Sequence, residues 1–261
     1  MSRGNLAGLF DQTIGLWYNS VIMQHRSPEY DLSDRQREAL HRVLIWTEGY
    51  FDNIPVGAHI GGHGFDKTMR QAGMAAVISS GEGYPVFLPV LTAMVMDVGR
   101  VTTDPRSRTY QHSELSREIV EASLFSTLDI LTPEDRELIG NAVEDHSKKN
   151  EYVRKSYVVE VAMDAGRLDC LGALGPLRSA SWFHNSPIIL PEETETSSVD
   201  GTLKTMYQDM AYRHMEWVEM LWTKTAREIA KPRVRAYRRY LKRLKDEASF
   251  SYQAYQGLGI E

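Results

Sequence analysis

The sequence predicts an all-α helical bundle, and three observations carry that prediction. Apolar residues recur at three- and four-residue intervals along nearly the whole chain, the spacing that lines one face of a helix. Helix-start signatures recur between the periodic segments. Alternating strand-like patterning is confined to one short candidate, Ser186–Leu190. With 261 residues, 42% of them hydrophobic, the chain is long enough to bury one large core. We expect a single domain over 1–261: N-terminal helices in 1–58, a core in 59–178, a loop over 179–202 and C-terminal helices in 203–261.

A first, extra N-terminal helix is expected over Leu6–Gln24, where Leu9, Ile14, Leu16, Trp17, Val21 and Ile22 share the apolar load despite Gly8 and Gly15. Ser33 and Gln36 fit a capping box, in which a hydroxyl and a side-chain amide satisfy each other's backbone N–H groups. They open a second helix running to about Tyr50. Asp66–Ser80 reads as a third helix, Val86–Val98 as a fourth and Ser113–Leu128 as a fifth. Thr132, Pro133, Glu134 and Asp135 place a cap, a first-turn proline and two acids at the start of a sixth, ending near His146. Tyr157–Leu174 and Leu203–Phe250 complete the series, the latter bending near Pro232, which cannot continue the backbone ladder. Between them, Glu192–Gly201 (EETETSSVDG) is the one low-complexity stretch, inside a lid-like loop around Phe183–Gly201.

Composition narrows the function classes. A formal net charge of −5 argues against a dedicated nucleic-acid binder. The basic run Lys231–Lys245 spreads over several helix faces and reads as a solvated helix. One cysteine, Cys170, excludes a disulfide framework and a multi-thiolate zinc site, and reads as a small core residue. No segment reaches the roughly 18 uninterrupted apolar residues of a membrane span, and the N-terminus lacks a secretory pattern. The expected setting is cytoplasmic, with no membrane and no nucleic-acid partner.

The most informative stretch is Val90–Arg100 (VLTAMVMDVGR): an apolar run, then Asp97 alone. A helix apolar all round is buried, and a buried carboxylate is costly unless paired or ligating. Together with Gly62–Arg70 (GHGFDKTMR), His112–Ser116 (HSELS), Glu144–Ser147 (EDHS) and Asp164–Gly172 (DAGRLDCLG), in that order, this run resembles the small single-domain bacterial branch of the HD-domain phosphohydrolases. The likeness extends through Leu174–Arg178 (LGPLR) and Thr223–Tyr240. It implies an HD-type bundle in which two His and two Asp hold a divalent metal that activates water. By the same pattern, those ligands fall on Lys67, Met96, Asp97 and Gly166, so only Asp97 is retained. A protonated lysine repels a cation, a thioether is too soft for magnesium or manganese, and glycine offers no ligand. The resemblance also places His112 and His146 where some members hold a second metal or a phosphate.

The candidate catalytic set is therefore Lys67, Asp97, His112 and His146, with no metal and no cofactor expected. His63, Arg70 and Met96 are candidates for substrate binding. Lys67 and Asp97 are equally readable as a structural ion pair filling a lost site or as part of a working pocket. Arg70 is three residues from Lys67 on one helix face and is readable as an anion contact or a surface ion pair. His59 and His63 are four apart, but Gly61 and Gly62 between them favour a loop-lining role. Asp164, two residues from the lost Asp position, points about 200° away on a helix, and Arg167 and Asp169 read as structural.

Three functions remain: a repurposed HD-fold enzyme acting on a small organic substrate without the usual metal, a non-catalytic HD domain binding a ligand or partner, and a metal-dependent phosphohydrolase with unorthodox ligands. A homodimer through the C-terminal aromatics, or through Leu9, Phe10, Trp17 and Tyr18, is a further expectation.

Overall fold

The computed structural model of the protein describes residues 30–54, 62–109, 111–183, 186–190 and 205–259. The expected helix at 6–24, its dimer contacts, His59 and most of the lid-like loop lie outside the described residues. The chain divides after Asp31, and every element below belongs to the unit Leu32–Glu261.

Described residues are helical almost throughout, with no strand among them; Ser186–Leu190, the strand candidate, has no regular structure. Helix α1 (Asp34–Asp52) starts at the expected capping box: Gln36 N donates to Ser33 Oγ at 3.3 Å and Ser33 N to Gln36 Oε1 at 2.9 Å. Helices α2 (Phe65–Glu82) and α3 (Phe87–Val95) follow. All nine residues of α3 are buried, as its uniform apolarity requires. It is the central rod of the bundle, packed by α1, α2 and the later helices over Pro133–Asp145 and Tyr157–Asp169. The fourth helix was expected to reach Val98. Instead α3 ends at Val95, and Asp97 precedes a 3₁₀ turn, Val98–Arg100, so the carboxylate sits at a helix end rather than within a helix.

Helix α4 (His112–Ser123) packs on that turn and on α5 (Pro133–Asp145). The α5 start is the expected box, with Asp135 N donating to Thr132 Oγ1 at 3.1 Å. Helix α6 (Tyr157–Asp169) lies against α2, α3 and α5 and stops earlier than the expected Leu174; α7 (Leu174–Trp182) occupies the start of the predicted loop.

The single C-terminal helix expected over 203–250 is several. A turn at Met206–Gln208 passes into a π-helical turn, Asp209–Arg213, then α8 (His214–Glu219), and after a break α9 (Lys224–Gln256). The break falls at 220–223, not at Pro232, which lies inside α9. Its cause is Asp164: the buried carboxylate accepts from Trp222 N at 3.0 Å, Thr223 N at 2.8 Å and Thr223 Oγ1 at 2.8 Å. Three donors on one carboxylate fix the α9 start more strongly than continuing the helix would. Arg167 closes the same corner, donating to Met220 O at 2.5 Å and Asn150 Oδ1 at 2.6 Å. No helix among the described residues is long and apolar enough to cross a membrane.

Candidate functional site

The site forms where the end of α3 meets α2, α4 and α5. Its assembly depends on Gly99. A Cβ there would run into the carbonyl oxygen of His112 and stand 2.7 Å from Ser116 N. Only glycine lets the turn after Asp97 touch the first turn of α4, where Gly99 N donates to Ser116 Oγ at 2.9 Å. That contact brings His112 beside Asp97.

Lys67, from the first turn of α2, is 2% exposed, and its ammonium donates directly to Asp97 Oδ2. The other carboxylate oxygen, Oδ1, lies 3.5 Å from His112 Nε2, 3.6 Å from His146 Nε2 and 3.5 Å from Arg100 Nε. Burial acts to raise the Asp97 pKa, but the Lys67 ammonium works against it and the group is held well below the usual carboxylate range. Lys67 is pulled below its ordinary value by burial, against the attraction of Asp97. Burial likewise lowers His112 to about 4.

The two histidines have a fixed tautomer. His112 Nδ1 lies 2.7 Å from Thr109 O and His146 Nδ1 lies 2.6 Å from Val143 O. A carbonyl oxygen only accepts, so both Nδ1 atoms carry hydrogen. Both Nε2 atoms, 3.1 Å apart, then present lone pairs to each other and to Asp97 Oδ1. Three acceptors converge, and only a proton or a cation among them makes that approach favourable. These three atoms lie within 4.8 Å of one another, a set that could hold one metal ion.

The positions that the HD pattern assigns to the ordinary metal offer an ammonium, a thioether, one carboxylate and no side chain at Lys67, Met96, Asp97 and Gly166. That donor set does not fit a divalent cation.

A cavity of about 730 Å³ opens over these groups, lined among others by His63, Lys67, Met96, Asp97, His112 and His146. Arg70 is not part of that lining: it donates to Asp169 Oδ1 at 2.7 Å and Asp66 Oδ2 at 2.6 Å. Cys170 is buried, its thiol pushed up to about 11 by burial.

Several lining residues were not anticipated. Arg178 of α7 sits 3.2 Å from Asp169 and 3.5 Å from His63 Nε2. Arg100 stacks over Trp182, whose ring meets His63 edge-on at 5.7 Å. Burial, then the nearby charges of Lys67 and Arg100, push the His63 pKa well down. On the far wall, Asp209 accepts from Ser179 Oγ at 2.7 Å and lies 3.3 Å from His214 Nε2; His214 Nδ1 accepts from the Tyr237 hydroxyl at 2.6 Å. Arg178 stood within the LGPLR fragment, a signal available in sequence. The Asp209–His214 network had none, because a π-helical turn has no sequence periodicity of its own to read.

The comparisons agree with this architecture. No family model matches the sequence, and no curated protein matches it. Among solved structures, a protein from Lactobacillus plantarum superposes with a TM-score of 0.64 at 18% identity, over 81% of this chain and 97% of that one. Bacillus subtilis YpgQ in complex with ADP gives 0.59 at 21%, over 82% and 96%. An HD-superfamily hydrolase from Bacillus thuringiensis gives 0.56 at 15%, over 81% and 97%. The chain therefore has the HD-domain fold, and at these identities the likeness is one of fold.

Proposed function

We propose that this protein is an HD-fold enzyme acting on a small organic anion without the ordinary divalent metal. The observation that carries this reading is the buried Lys67 ammonium bonded to Asp97, the one carboxylate the HD pattern retains. Lys67 then supplies the positive charge of the site and would meet an anionic substrate group together with Arg100 and Arg178. His112 and His146, with their Nε2 atoms facing each other, would hold and transfer one proton between them as general acid and base. The catalytic set is Lys67, Asp97, His112 and His146, with His63 and Met96 on the substrate wall. The ADP bound to YpgQ, itself an organic anion, supports the substrate class.

A second reading rests on the same converging acceptors: Asp97 Oδ1, His112 Nε2 and His146 Nε2 as ligands of a single transition metal in an unorthodox phosphohydrolase. Metal analysis of protein purified without chelators separates the two, combined with inorganic phosphate binding by Lys67→Ala, Asp97→Ala and His146→Ala. We expect no stoichiometric metal, and folded variants in which Lys67→Ala loses phosphate binding. Stoichiometric metal lost in His146→Ala would favour the second reading. Unchanged phosphate binding in all three variants would leave a ligand-binding, non-catalytic domain, and our reading would fall.

A further inference from the structure

We infer that Lys67 is a nucleophile, forming a Schiff base with an organic anion that carries a ketone or aldehyde, while His112 and His146 hold the proton that Lys67 gives up. This rests on the reading of the cavity as a site for a small organic anion, and it names the ligand's second functional group. A lysine–carboxylate pair that only fills space is packed on all sides and has nowhere to send a proton. Lys67 differs on both counts. With Asp97, Arg100 and Arg178 it borders the cavity of about 730 Å³, and its flexible four-carbon stem can turn the amine from Asp97 into that space. Asp97 holds Lys67 on Oδ2 and faces the two imidazoles on Oδ1, with His112 Nε2 at 3.5 Å and His146 Nε2 at 3.6 Å. Those Nε2 atoms, 3.1 Å apart and bare of hydrogen, gain a favourable contact once a proton sits between them.

The Lys67 proton therefore has a destination. Passed to Asp97 and on to the histidine pair, it leaves a neutral amine and places one shared positive charge between two imidazoles, still beside the Asp97 carboxylate. Burial, then the charges of Arg178 and Arg100, favour that exchange by opposing the ammonium against the pull of Asp97. Arg100 and Arg178 can meet the ligand's anionic group, which puts its carbonyl carbon toward Lys67. The amine's lone pair forms the C–N bond, and the C=O electrons move to oxygen, which is protonated as the new nitrogen sheds a hydrogen. The histidine pair then returns its proton to that oxygen; the C–O bond breaks, water leaves and an iminium remains. Of the three ammonium hydrogens, two leave in the water and one stays on nitrogen. The emptied Nε2 pair is then free to take a proton from the carbon next to the iminium, which the iminium makes acidic.

Reductive trapping tests this. Pyruvate (ketone and carboxylate) or acetone (the ketone alone) is incubated with the protein and sodium cyanoborohydride, which reduces an iminium to a stable secondary amine. Peptide mapping by mass spectrometry then gives the labelling rate of Lys67 relative to Lys242, an exposed lysine of α9 outside the cavity lining. We expect pyruvate to label Lys67 at least about tenfold faster than Lys242, the gain from lowering an amine's pKa by one unit. That ratio should fall with acetone, and again when acetate competes with pyruvate. His146→Ala should slow Lys67 labelling at least about a hundredfold and leave Lys242 unchanged. If Lys67 takes no adduct, or is labelled no faster than Lys242, the inference is overturned; acetate binding, followed by saturation-transfer NMR, then decides whether the anion reading stands without it. If pyruvate and acetone give the same ratio and acetate neither competes nor binds, the anion reading falls and the Lys67 assignment stands. An unchanged Lys67 rate in a folded His146→Ala variant overturns the proton relay and with it this route to the amine.

Discussion

Replacing Lys67 by methionine tests the electrostatic core of the site most directly. The substitution keeps the side chain's length and apolar stem and deletes the ammonium that contacts Asp97. Asp97, 4% exposed, would then be left with Arg100 Nε at 3.5 Å as its nearest permanent cation. At an effective dielectric of 20, a charge pair at about 4 Å attracts by roughly 4 kcal/mol, and removing one partner of a buried pair costs about 3–5 kcal/mol, because the other charge stays buried without it. We expect Lys67→Met to lose about 3 kcal/mol and Asp97→Asn a similar amount, each lowering Tm by roughly 6–12 °C for a domain of this size. The double variant should lose far less than their sum, with a coupling of at least about 2 kcal/mol. Urea unfolding followed by far-UV circular dichroism measures all four corners of the cycle. Single losses below about 1 kcal/mol, or strict additivity, would refute the pairing and with it the claim that Lys67 provides the cation of the site.

Three further outcomes follow from the same structure. Asp164→Ala removes the acceptor of three donors at the α9 start; it should cost about 2–4 kcal/mol, read by urea unfolding, with fraying of 220–226 in hydrogen exchange. Cys170, its thiol near 11, should react with iodoacetamide at pH 8 about a hundredfold more slowly than a free thiol. Because its folded pKa is raised, its contribution to stability is complete below the unfolded value and is lost as pH rises through the range from there to about 11. The triple substitution Lys67→His, Met96→His and Gly166→Asp should bind one Mn²⁺ by calorimetry where wild type shows no such site at these positions; a triple variant that folds without binding would mean the pocket geometry has diverged along with its ligands.

Much of this fold was legible in sequence because its signals are local. The Ser33–Gln36 and Thr132–Asp135 boxes act within four residues, and α3 announces its burial through nine apolar or small residues in a row. What failed was long-range. The C-terminal helix breaks at 220–223 because Asp164, nearly sixty residues earlier, holds Trp222 and Thr223, and nothing around Trp222 shows that partner. Pro232 looked the stronger breaker, yet it sits inside α9. Within the site, Lys67, Asp97, His112 and His146 were singled out by motif order. Arg70 pairs with two carboxylates, Asp66 on its own helix and Asp169 on α6, and the second partner, 99 residues away, leaves no local signal.

On the function proposed above, Lys67, Met96 and Gly166, at the positions where the sequence resemblance implies metal ligands, form one coupled change rather than three losses. A divalent ion held by two carboxylates and two neutral imidazoles is balanced: two positive charges against two negative. Lys67 against Asp97, with nothing charged at Met96 or Gly166, is balanced as well, one against one. An intermediate with only the lysine or only the glycine is not. A lysine beside two carboxylates leaves one buried charge uncompensated, and a glycine at the last position beneath a divalent ion leaves an excess of the other sign; each costs several kcal/mol in a buried setting. Methionine at position 96 leaves the charge count unchanged and keeps a third imidazole lone pair away from the facing Nε2 atoms of His112 and His146. The balance explains why Asp97 alone persists: it is the counter-ion that any cation in that position requires, whether the cation is a metal or an ammonium. It also sets the sign of a single reversion. Gly166→Asp in the presence of Lys67 should destabilise the protein, and should stop doing so once Lys67 and Met96 are also histidine and a metal is supplied. A neutral or stabilising Gly166→Asp alone would break the charge argument.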